Sequence, residues 1–86
     1  MILYTMSTAE KILEKMRNNP RDWRIEDVIA VAKRYNMLMR VKDGSHHVFG
    51  FPGVKDSVSI PAHKPIKPVY IKQFVELVDK IMGEKS

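Results

Sequence analysis

The stretch Lys42-Asp43-Gly44-Ser45-His46-His47-Val48-Phe49-Gly50-Phe51-Pro52-Gly53 decides the fold. Asp-Gly takes positive φ at little cost, so Lys42 to Ser45 reads as a hairpin turn. The apolar, basic run Met37–Val41 before it is a first strand and His46–Phe51 the returning one. Pro52-Gly53 marks another turn, and Val58–Ile60 a third strand. Pro61 ends that strand, because proline has no N–H to give a ladder.

Helices flank this core on both sides. Upstream, Ser7-Thr8-Ala9-Glu10 has the spacing of a capping box, with Ile12, Leu13 and Met16 on one helical face. That helix should stop near Asn18-Asn19-Pro20, since the residue before proline avoids the α conformation. A second helix starts near Trp23–Ile25 and carries Val28, Ile29, Ala32 and Tyr35 as its stripe. Asn36 stands where a left-handed C-cap is expected. Downstream, Pro65 and Pro68 stiffen the approach to a last helix. Ile71, Phe74, Val75, Val78 and Ile81 or Met82 form its apolar stripe, and Gly83 closes it.

The expected order is α-α-β-β-β-α in one domain, residues 1–86. The fold class is α+β: a small antiparallel three-stranded sheet, with helices 2 and 3 on one face and the other face open. Residues 25–81 make the core unit and 7–18 an additional N-terminal helix. Trp23 reads as an anchor at a helix start, Met37 and Met39 as core gap-fillers, and Lys11, Lys15, Lys33 and Arg34 as solvated helix faces.

With no cysteine among 86 residues, disulfides, thiolate zinc sites and a Cys nucleophile are excluded, which fits a reducing cytoplasm. The apolar opening Met1–Met6 is too short for a signal-peptide core, and no stretch is long enough to span a bilayer. No membrane partner is expected. Fifteen Lys and Arg face ten Asp and Glu, a net charge of +5. From Arg40 to Lys72 there are six basic residues (Arg40, Lys42, Lys55, Lys64, Lys67, Lys72) and two acidic ones. Such a surface attracts a polyanion or an acidic partner; on a small domain it also serves solubility.

His46, His47 and His63 are the residues with chemistry to offer. Adjacent strand residues point to opposite faces, so His46 and His47 cannot readily share one metal ion, and no carboxylate cluster completes a ligand set. No metal or other cofactor is expected. If Val48 is the core residue of this strand, His46 shares its side, and His47, Phe49 and Phe51 project from the open face. There the aromatics could stack on RNA bases while imidazole moves a proton near neutral pH. The opposite parity buries Phe49 and Phe51, as phenylalanine usually is, and leaves His47 partly buried and hydrogen-bonded.

Gly44-Ser45-His46-His47, a strand, a Pro-Gly turn and a strand ending Pro61-Ala62-His63 before a final helix resemble the HicA toxins of bacterial and archaeal toxin–antitoxin pairs. The likeness covers about Ile25 to Ile81, and the N-terminal helix resembles that of extended members. Asn36 stands where a glycine is common, and Ala62 replaces a usual basic residue. The resemblance implies a fold like double-stranded-RNA-binding domains, metal-independent cleavage of messenger RNA in the cytoplasm, and a cognate HicB-like antitoxin covering the site. It makes His47 the catalytic residue, with Gly44 and Ser45 shaping its turn and His46 and His63 as possible supports. Lys42, Lys64, Lys67, Arg40 and Phe49 would contact RNA. A non-catalytic RNA-binding module of the same fold and a protein-interaction domain are the alternatives.

Overall fold

A computed structural model describes residues 7–85; the Met1–Met6 segment lies outside them. Its elements are α1 (Thr8–Asn18), α2 (Ile25–Arg34), β1 (Leu38–Lys42), β2 (His46–Phe51), β3 (Val54–Pro61) and α3 (Pro68–Lys85). The strands form one antiparallel sheet in the order β1-β2-β3. The expected fold class is the observed one.

Local signals account for most boundaries. Ser7 Oγ accepts from the Glu10 backbone N–H at 3.2 Å, and Glu10 Oε1 accepts from the Ser7 N–H at 2.8 Å, the reciprocal bonds of a capping box. Ser7→Ala is expected to lower stability by about 1 kcal/mol, measured by urea denaturation. Asn36 adopts φ +57° just past α2, as a left-handed cap requires. Asp43 and Gly44 take φ +57° and +71° in the first hairpin, and Gly53 +86° in the second. A side chain at Gly44 would meet nothing, so backbone conformation and not space reserves the position for glycine.

Three expectations about the elements are corrected. β3 begins at Val54, four residues early, because Phe51 pairs with Val54 directly across the Pro52-Gly53 turn. α3 runs through Gly83, which lowers helix propensity without ending the helix. The sheet is covered by α3, which lies on β3 and β2, whereas α2 packs chiefly against α1 and α1 also against α3. The N-terminal helix therefore shares the core: Leu13 and Met16 are buried with Val28, Val31, Phe49, Ile60, Phe74 and Val78. Arg17 ties it to α3 through two bonds to Asp79, 2.5 and 2.9 Å long.

Coverage by α3 stops before β1. Met39 and Val41 are paired with Phe49 and His47 and so lie on the helix side, yet they are 43% and 50% exposed. Met39 is thus no core gap-filler; Met37 is half-buried against the core. Trp23 anchors the entry to α2, its indole N–H donating to the Asn19 carbonyl at 2.7 Å.

Candidate functional site

Which way β2 faces follows from its buried residue. Phe49 is fully buried and meets Phe74 of α3 edge to face, ring centroids 5.4 Å apart. Its parity mate His47 therefore also faces the helices and His46 and Val48 face the open side; Phe51, beyond a register shift, is partly buried against the core. This reverses the arrangement in which His47, Phe49 and Phe51 line the open face. The reason is volume: burying a phenylalanine ring removes far more apolar surface from water than burying Val48 would. Phe49 cannot touch RNA, and no aromatic residue of β2 stands on the open face.

His47 is nonetheless not sealed in. It sits at the margin of the core, half-buried, its ring stacked on Phe49 at 6.4 Å between centroids and 17° between planes. Nδ1 is buried without a hydrogen-bond partner, which leaves Nε2 as the nitrogen that meets solvent. Three rings, His47, Phe49 and Phe74, thus run in sequence from the sheet's end to α3. In the sequence Phe74 is one member of a helical stripe, and no local signal pairs it with a strand residue 25 positions away.

The two histidine segments meet at one end of the sheet. His46 is the register partner of Lys42 on β1 and of Pro61 on β3, and His47 that of Val41 and Ile60. Beyond the ladder, the Ala62 N–H donates to the Ser45 carbonyl at 2.8 Å. The chain leaving β3 is thereby held against the turn entering β2, and His63 emerges beside Ser45 although it is 18 residues further along. Ser45 Oγ lies 3.4 Å from His46 Nδ1, a long contact. Gly44 and Ser45 shape the turn, as their spacing implies.

Cations are distributed unevenly about this end. Arg17 pairs with Asp79 and Glu14, Arg34 with Glu10 and Lys80 with Asp56, all involving helices. Lys42, Lys64 and Lys67 are exposed, and among the described residues none of them has an ion-pair partner. Arg40 is also exposed and, among the described residues, without an ion-pair partner; it pairs in register with Val48 as Lys42 does with His46, so both lie on the open face, opposite His47. Charges left uncompensated in this way attract an anion from solution. Among the described residues no group of three His, Asp or Glu is placed to hold a metal ion, and no helix is long and apolar enough to cross a membrane.

The class defined by these features is an open-faced α+β domain with a two-histidine, lysine-flanked sheet end. No protein-family model matches the chain, and no curated protein or solved structure is detectably similar to it.

Proposed function

We propose that this protein is an endoribonuclease of the HicA type that cleaves messenger RNA without a metal, His47 carrying a proton at the scissile bond. The supporting observation is the Ala62–Ser45 bond, which holds the segment carrying His63, Lys64 and Lys67 against the turn that enters the His46–His47 strand. Such cleavage needs the 2′-OH deprotonated, the 5′-oxygen leaving group protonated and the phosphorane charge neutralised. Nε2 of His47 serves as one proton carrier, and His63 is the candidate for the other. Lys64 and Lys67 supply positive charge where it develops, and Lys42, on the open face beside His46, holds the RNA backbone further along.

Incubating the purified protein with a long single-stranded RNA, with and without chelator, tests this. Cleavage that survives chelation is the expected result; an intact substrate, or products lost with chelator, would refute it. If the three lysines each neutralise one phosphate, the logarithm of the binding constant should fall against the logarithm of salt concentration with a slope near −2, about 0.7 per contact. Each Lys→Ala change should then flatten that slope by about 0.7 in a fluorescence titration. An RNA-binding module lacking catalysis would show the slope without product.

One observation favours a protein partner as well. β1 is an edge strand with Leu38, Met39 and Val41 exposed at 58%, 43% and 50%, and unpaired edges of this kind accept another strand. With Arg40 and Lys42 on the same strand, a HicB-like antitoxin would present an acidic surface here. Its binding would protect β1 amides from hydrogen exchange; unchanged exchange in the complex would remove β1 from the interface.

A further inference from the structure

At the start of α3 lies a cleft of about 220 Å³ lined by Pro61, His63, Pro65, Lys67 and Tyr70. Two proline rings give it apolar walls and Tyr70, half-buried, an aromatic one. His63 and Lys67 add polar groups, and no carboxylate lines it. Among the described residues, no hydrogen bond or ion pair engages the side chains of His63, Lys67 or Tyr70. Apolar walls with a few convergent, unused polar groups are the usual make-up of a small-molecule site. A flat aromatic wall beside a free cation suits one ligand chemistry in particular, a nucleobase attached to a phosphate. An acidic peptide would employ Lys67 but would leave Tyr70 and the prolines without a flat partner.

We propose that this cleft is a nucleotide subsite, in which a base stacks on Tyr70 between the two prolines while Lys67 and His63 hold the adjoining phosphate. The proposal rests on the reading of RNA as substrate and assigns the seating of a nucleotide near the scissile bond to this cleft. Its position supports that link. Pro61 follows Ile60, the register partner of His47, and Ala62 is bonded to Ser45, so the cleft adjoins the turn that carries the histidine pair.

The test uses the whole chain titrated with each ribonucleoside 5′-monophosphate and, separately, with inorganic phosphate, followed by nuclear magnetic resonance of the Tyr70 and His63 rings. Nucleotides should shift both rings, and phosphate alone should leave Tyr70 unmoved. Tyr70→Leu should weaken nucleotide binding roughly 5- to 150-fold, the range for loss of one base–aromatic stack. Tyr70→Phe should retain it. Because Tyr70 also packs against the core, Lys67→Glu provides a second variant at an exposed position, and it should lose binding without loss of fold. Nucleotides that leave Tyr70 unshifted, or that bind the Leu and Glu variants as tightly as the wild type, would overturn the assignment; so would an acidic peptide that perturbs the cleft where nucleotides do not. The readout needs no turnover, so nucleotide binding at Tyr70 with RNA left intact would uphold the cleft and sink the nuclease, whereas RNA cleavage with Tyr70 silent would do the reverse.

Discussion

Replacing His47 by alanine is expected to slow RNA cleavage by roughly 10²- to 10⁴-fold, the usual range for a proton carrier, while the circular-dichroism spectrum is kept and the unfolding midpoint falls by no more than about 4–8 °C. The ring is half-buried at the edge of the core, so truncation opens no sealed cavity. What is lost structurally is one stacked contact on Phe49, a matter of about 1 kcal/mol, and the orphaned Nδ1 goes with it. Single-turnover cleavage of a defined RNA provides the rate. His46→Ala is the control, because His46 is exposed on the other face beside Lys42, and its loss should alter the rate only a few-fold by comparison with the roughly 10²-fold minimum for a proton carrier. Undiminished cleavage by the His47 variant would end the assignment, and equal damage from both would point to the turn and not to one imidazole.

Phe49→Ala should be the most destabilising single change among these, by about 3–5 kcal/mol, the cost of deleting a buried phenylalanine ring. Small domains hold a total of only about 5–15 kcal/mol and this one lies toward the thin end, so the variant is expected to melt at least about 12 °C lower. Differential scanning calorimetry reads the shift directly. Phe49→Leu keeps most of the volume and should stay folded, but it removes the flat surface against which the His47 ring lies. A fall in cleavage by that variant, with RNA affinity unchanged, would mark Phe49 as a positioning residue. If Phe49 instead stacked on bases, its removal would cost RNA affinity and little stability.

Much of the scaffold was legible because it is written in nearest-neighbour physics. Ser7 and Glu10 close their box within one turn, Asn36 and Asp43-Gly44 reach positive φ through their own chemistry, and prolines 61 and 68 mark the ends of elements by what they lack. The candidate site was legible as a set of residues and misread as a geometry. The Ala62–Ser45 bond holds the segment of His63 against the Gly44-Ser45 turn that leads into His47, whereas Phe49 belongs to the core and Arg40 to the opposite face.

By itself the sequence determined that His46 and His47 part company, because a pleated strand sends neighbours to opposite sides whatever surrounds it. It also determined the hairpins and the order of elements. Only the tertiary structure decided which histidine lies against the helices, since an alternation of period two has no preferred side until a helix lands on one. α3 lands on the side of Phe49 and leaves β1 bare, while the β2–β3 register carries the β3 exit to the Ser45 carbonyl. These are contacts between residues distant in the chain, and no local preference encodes them.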